Sequence, residues 1–215
     1  MIFSKTWEKI ALMRQNPVAV EDAIQSIELG LVKPQEMTMA GLYWLLFNHY
    51  QTIPPAPFHF NLLDTLEDQT LRRILVMGFR ESAKSTIATV QEPVIEGACG
   101  VKKFIIICGD TDTQAQKHLS NIKYEFENNK NLIRTFGDLR TRHNWGKEQF
   151  ELTNGTLYLA RSRGQKVRGL RHGIYRPDLL VVDDIEDIKW VQIKRNRDDT
   201  ERWFNAAVSA IDKAR

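Results

Sequence analysis

The residues GFRESAKST, positions 78–86, have the types and spacing of a loop that holds phosphate. Phosphate loops follow G-x-x-x-x-G-K-[ST], with a strand before and a helix after. Backbone N–H groups of a tight turn wrap the phosphate oxygens, a lysine ammonium meets the β- and γ-oxygens, and a hydroxyl faces magnesium. Here Gly78, Phe79, Arg80, Glu81, Ser82 and Ala83 would make the turn. Lys84 would supply the ammonium and Ser85 the hydroxyl, with Thr86 closing the segment. Ala83 stands where the pattern has its second glycine and adds one methyl where such a loop is crowded. The competing explanation is a chance match of glycine, lysine and serine.

Downstream, LLVVDDIED at 179–187 carries an apolar run into carboxylates. An aspartate at the tip of a strand near a phosphate loop holds the water shell of magnesium. A second carboxylate within hydrogen-bond reach of the attacking water takes its proton. Asp183 fits the first role. Asp184 or Glu186 fits the second, and both stay open because side chains alternate along a strand whose end is not fixed. The plainer alternative is that these acids cap the next helix, where the dipole favours negative charge. Just before them, RSRGQKVRGLRHG at 161–173 gathers Arg161, Arg163, Lys166, Arg168, Arg171 and His172 among three glycines. A flexible basic loop can meet the charge developing on a transferred phosphoryl group, or neutralise the backbone of a nucleic acid.

The apolar pattern indicates what must position these groups. Residues 74–77 (ILVM), 104–107 (FIII) and 179–182 (LLVV) are short, continuously apolar runs. The first leads through a glycine-containing turn to a helix-forming stretch near Lys84, and the second to one over 113–128. Such runs alternating with helices predict parallel strands buried on both faces. Within 149–159, ELTNGTLYL alternates around Asn154-Gly155, a hairpin signal. The expected fold class is α/β, a mainly parallel central sheet flanked by helices with an inserted hairpin. Helical patterns at 5–15, 18–29 and 37–50 open the chain, broken at Pro17 and Pro34. In the third, Leu42, Leu45, Leu46 and His49 share a face suited to packing. The segment TIPPAPF, with prolines at 54, 55 and 57, reads as a stiff connector. It divides the chain into an N-terminal helical appendage over 1–52 and a main domain over 53–215.

Composition narrows the class. With 215 residues, 42% hydrophobic and 27% charged, the chain can bury a real core. It has no apolar stretch of membrane-spanning length, and its start lacks the apolar run and cleavage site of a secretion signal. Cys99 and Cys108 lack metal-ligand spacing and read as two reduced thiols. Net charge is only +3, but residues 1–70 hold 4 basic and 8 acidic side chains, whereas 130–176 hold 11 basic and 3 acidic. The second segment suits an anionic partner, nucleotide phosphates or nucleic acid.

In the order GFRESAKST, FIIICGDTDTQAQKHLSNI and VRGLRHGIYRPDLLVVDDIED, the chain resembles the ATPase half of tailed-bacteriophage large terminase subunits. Three features carry the resemblance: Arg80 early in the loop, the pair Arg168-Gly169 before the acidic strand, and a double-aspartate strand end preceded by RPDLL. It spans roughly Phe58 to Phe204. The resemblance implies a P-loop NTPase of the additional-strand, catalytic-glutamate type, with ATP and Mg2+ as cofactors. Carried over, Lys84 and Ser85 bind phosphate and metal, Asp183 supports the metal, and Asp184 or Glu186 activates water. Arg168 would act in trans on a neighbour's ATP, and Arg80 joins the catalytic candidates. The upstream segment PAPFHFNLL offers Phe58 and His59 where relatives touch adenine, without the expected glutamine, and His59 alone reads as a satisfied surface histidine.

Hydrolysis would drive viral double-stranded DNA into a procapsid in the cytoplasm of an infected bacterial host. The implied partners are the DNA, portal protein and procapsid, a small terminase subunit, and further copies in a ring, with a monomer expected in isolation and no membrane. The nuclease half that such proteins carry is not in this sequence, so DNA cleavage is not expected of it. Three alternatives use the same residues: a non-hydrolysing nucleotide-binding module, favoured by Ala83; a helicase-like DNA-remodelling ATPase, which would need a second motor domain; and a phosphotransferase, which would need an acceptor-binding region.

Overall fold

The computed structural model describes residues 17–50 and 55–212, so the helix expected over 5–15 lies outside the described residues. The chain parts into two compact units: residues up to Ser82 together with Glu125–Asp138, and Ala83–Tyr124 together with Leu139–Arg215.

The first unit is helical. Helix α1 is Pro17–Glu28, α2 is Met39–Leu46, α3 is Pro57–Glu67 and α6 is Lys130–Phe136, joined by the last turn of α5, Asp112–Asn128. Every residue of α2 is buried, as its sequence MAGLYWLL demands. The helix expected over 37–50 stops at Leu46, and a short 3-10 turn, Asn48–Tyr50, follows. The carbonyls left open at that end are answered from elsewhere: Asn129 Nδ2 donates to Leu46 O and Asn131 Nδ2 to Leu45 O, both at 2.9 Å. Arg134 forks onto Glu21 and Glu28 of α1, which consumes one of the basic residues counted for an anionic partner. Pro57 does not extend a stiff connector; it opens α3 at a position that loses no helical donor.

Residues 74–77 are a correction. They form no strand, and Leu75 and Met77 are 83% and 84% exposed. Four apolar residues in a row are compatible with a buried strand but cannot impose one without a ladder partner.

The second unit holds a five-stranded sheet in the order β2-β3-β4-β1-β5. The strands are β1 Phe104–Gly109, β2 Arg140–Trp145, β3 Gln149–Leu152, β4 Leu157–Ser162 and β5 Leu179–Val182. Strand β1 runs parallel to both β4 and β5, so both its edges are occupied. The pairs β2–β3 and β3–β4 are antiparallel, which makes the sheet mixed rather than mainly parallel. Asn154-Gly155 turns β3 into β4 as expected, with Gly155 at φ +83. Strand β2 has no signal in the sequence, because RTRHNW is polar and half of it is exposed at the sheet edge.

Helix α7, Lys194–Asp212, covers one face of the sheet through Trp203, Ala207 and Ala210 against Phe104, Ile106, Leu157 and Leu159. Helix α4, Glu92–Ala98, packs on β4, where Gly97 lies so close to Tyr158 that a Cβ would clash with its hydroxyl. Asp178 sets the start of β5 against β1: its carboxylate accepts from Lys103 N at 2.7 Å and Phe104 N at 2.9 Å.

Candidate functional site

The boundary between the two units falls inside the loop, between Ser82 and Ala83. In the first unit, Gly78, Phe79, Arg80 and Glu81 are exposed and Ser82 is buried. Glu81 sits at φ 65, a left-handed conformation that an L side chain adopts at a cost. His59 holds this half. Its Nδ1 accepts from Ala56 N at 2.9 Å, which leaves Nε2 to donate to Ser82 O at 3.0 Å. The Phe58 ring lies edge-on to Phe79 with centroids 5.7 Å apart. His59 is therefore a half-buried support for the loop rather than a surface histidine. Its neighbour Pro57, which starts the helix, is the signal that could have revealed it.

In the second unit, Ala83 has φ 56. This is the position where the pattern asks for glycine, and the backbone adopts the conformation that glycine makes free. Ala83 O accepts from Ile87 N at 2.9 Å, the first bond of the helix that Lys84 and Ser85 open. Lys84, Ser85 and Thr86 are half-buried. The helix then passes through a π-helical segment, Thr86–Gln91, before α4. Thr89, buried inside that segment, donates from Oγ1 to Asp183 Oδ2 at 2.8 Å. One hydrogen bond thus ties the acidic strand end to the helix that begins with Lys84 and Ser85. Thr89 is not a sequence candidate, because a threonine mid-helix carries no signal of its own.

The acidic residues divide their roles. Asp183 is half-buried and bonded to Thr89, and its backbone N–H donates to Cys108 O at 3.1 Å, continuing the β5 ladder. Asp187 is tied to the 3-10 turn Trp190–Gln192: its Oδ1 accepts from Trp190 N at 2.7 Å, although the residue that caps that turn is Lys189. Asp184 and Glu186 are exposed and have no hydrogen-bond partner among the described residues. Asp184 has φ 47, so the chain is strained where it leaves the sheet.

The carboxyl ends of the parallel strands β1, β4 and β5 gather further polar groups, as open α/β sheets do. Ser162 Oγ donates to Asp112 Oδ1 at 2.6 Å, and Gln114 Nε2 lies 3.2 Å from His118 Nε2. Burial lowers the pKa of His118, while the charges of Asp183 and Asp184 pull it back up, so the ring lies within the field of both acids. Arg163 stacks on Trp190. Arg168 is exposed between Val167 and Leu170, both packed into the core under α7, while Gly169 takes φ +82. The apolar anchors on either side present Arg168 outward.

No family model, no curated protein and no solved structure matches the chain. Among the described residues, no helix is long and apolar enough to cross a membrane, and no group of three or more His, Cys, Asp or Glu is arranged to hold a metal. Burial pushes both cysteine thiols up to about 12, which disfavours their thiolate forms. A magnesium ion would rest instead on the Ser85 hydroxyl and the Asp183 carboxylate. These are hard oxygen donors, and magnesium keeps its remaining positions for water and phosphate.

Proposed function

We propose that this chain is an ATPase of the phosphate-loop type and serves as the motor of a large terminase, driving double-stranded DNA into a viral procapsid. The observation that carries the reading is the hydrogen bond from Thr89 to Asp183 at 2.8 Å, which links the acidic strand end to the helix opened by Lys84 and Ser85. The terminase assignment rests on the residue resemblance, on Arg80 in the loop, on Arg168-Gly169 and on the double aspartate.

In this reading Lys84 meets the β- and γ-phosphate oxygens, with the loop N–H groups around them. Ser85 and Asp183 would hold a magnesium ion, which would supply neutralisation of phosphate charge when bound. Asp184 or Glu186 orients a water whose oxygen bonds to the γ-phosphorus as the bridging P–O bond to ADP breaks, and takes the proton that the water releases. Arg168, outward on its anchored loop, suits a role on a neighbouring subunit's nucleotide. Portal protein, small terminase subunit and a ring of copies are the partners of this reading.

A second reading has a specific observation in its favour. Ala83 and Glu81 hold left-handed backbone beside an unpaired apolar run, which suits a module that binds nucleotide without hydrolysing it. Steady-state phosphate release with ATP and magnesium separates the two. Turnover by the parent that Lys84→Ala removes supports the motor. Nucleotide binding without turnover, under conditions that assemble the subunits, supports the module.

A further inference from the structure

Arg163 stands beside the acidic strand end and has no part in the proposed phosphoryl transfer. Its backbone N–H donates to Gly109 O at 3.0 Å, fixing it beside the end of β1. Its guanidinium lies 3.8 Å from the centroid of the Trp190 ring and donates from Nη1 to the carbonyl of Ile185. Ile185 is the residue between the two candidate bases. Trp190 is itself pinned: its Nε1 donates to Thr200 Oγ1 at 3.0 Å, its backbone N–H donates to Asp187 at 2.7 Å, and its carbonyl accepts from Asn196 at 3.2 Å. One planar cation therefore joins the end of β4, the turn 184–186 and the first turns of α7. The same turn carries the left-handed backbone of Asp184, a conformation that persists only where surroundings over-determine it.

We infer that Arg163 is a positioning residue for hydrolysis, holding the turn 184–186 so that its carboxylate is aimed before nucleotide arrives. The inference rests on the proposed ATPase reading for its consequence, but the clamp itself is a property of the chain. Only a planar guanidinium can stack on an indole and donate in its own plane to a carbonyl, so lysine is not an equivalent. Misplacing a reacting group by about 1 Å costs about a hundredfold in rate. Arg163→Ala should therefore lower kcat by about ten- to a hundredfold while the Kd for ATP stays within about threefold. Arg163→Lys, which keeps charge and stem, should lose at least about tenfold. Trp190→Ala should match Arg163→Ala, and the double variant should be no worse than either, because both break one clamp. Trp190→Phe keeps a ring face and should recover most of the rate lost in Trp190→Ala.

The accompanying measurement is amide hydrogen exchange on the full chain. Exchange over 184–190 should quicken in Arg163→Ala and Arg163→Lys, while that of β1 stays slow. If the parent hydrolyses no ATP, the ATPase reading fails, and exchange alone still decides whether Arg163 holds the turn. Unchanged exchange overturns the inference. So does turnover at the parent rate in both Arg163 variants, or loss of ATP affinity in step with rate, which would make Arg163 a direct nucleotide ligand.

Discussion

The loop before Ala83 and the acidic strand end after β5 look like equals in the sequence, each an apolar run leading into chemistry. In the folded chain they differ. The run 179–182 pairs with β1 along its length and delivers Asp183 into a bonded position. The run 74–77 pairs with nothing in the sheet, and the glycine-led turn after it is exposed except at Ser82. One region is held by a ladder, a buried threonine and an arginine clamp. The other is held by His59 and two aromatic rings. In the proposed reading a motor would need both halves: the acidic strand end, which would activate water, is the more heavily bonded, and the loop that would wrap phosphate is lightly supported.

The largest expected effect tests whether the rigid side is complete in one chain. A cation supplied in trans is worth about 10³–10⁵ in rate. Specific activity should rise with protein concentration, and Arg168→Ala should abolish the rise without weakening ATP binding. Mixing Arg168→Ala with Lys84→Ala chains should restore part of the turnover, since each supplies what the other lacks. Activity indifferent to concentration and mixing would leave Arg168 to cis action or to DNA.

Next comes the choice between Asp184 and Glu186, where the base variant, Asp184→Asn or Glu186→Gln, should lose about a hundredfold or more in kcat with ATP affinity retained. Single-turnover hydrolysis beside equilibrium binding measures both. Parent rates in both variants would reduce the strand end to the structural roles already visible in Asp183 and Asp187.

Smaller effects probe the lightly held side. Left-handed backbone at a residue with a Cβ costs of order 1–3 kcal/mol, most for branched side chains. Ala83→Val should destabilise the chain by about that amount in urea unfolding. Ala83→Gly should change stability by less than about 1 kcal/mol, as relieved strain offsets the entropy of glycine. An Ala83→Val chain as stable as the parent would mean that this turn is not held left-handed in solution.

The last concerns α4, directly behind the loop, and is read across pH. Burial, reinforced by Glu96, raises the pKa of Glu92 from 4.5 to about 8. The folded chain thus keeps a proton that the unfolded chain releases, and stability falls as pH rises from about 4.5 to about 8, levelling above that. The limiting slope is about 1.4 kcal/mol per pH unit for one proton. Glu92→Gln should flatten this decline while leaving stability below the unfolded carboxyl's range almost unchanged, as read from unfolding midpoints across pH. An identical decline in the variant would remove Glu92 as its source.

Much of the second unit was legible because its residues act through local rules. Asn154-Gly155 fixed a turn, LLVV fixed β5 to the residue, and DTQAQKHLSNIKYEFEN carried helical periodicity through Asn128. Ala83, where the spacing of the loop pattern calls for glycine, takes left-handed backbone. What stayed hidden depends on partners distant in sequence. Strand β2 is polar because it is an edge, so periodicity said nothing. Residues 74–77 read as a strand because burial requires a neighbour that the run does not specify. Thr89, His118 and Trp190 escaped notice, and Arg163 read only as one cation of a basic loop, because each gains its role from what the fold sets beside it.

The π-helical segment Thr86–Gln91 has a consequence for aim. Its bonds span five residues where an α-helix spans four, so it carries one extra residue. Each residue of an α-helix turns the face by about 100°. Behind the segment, α4 is locked to the sheet: Tyr158 donates to Pro93 O at 2.8 Å, and Gly97 leaves no room to rotate. The extra residue thus acts as a phase shifter between a fixed stem and the chemical end of the same helix. The same residues wound as a regular α-helix would point Lys84 and Ser85 about 100° away from where the stem now aims them.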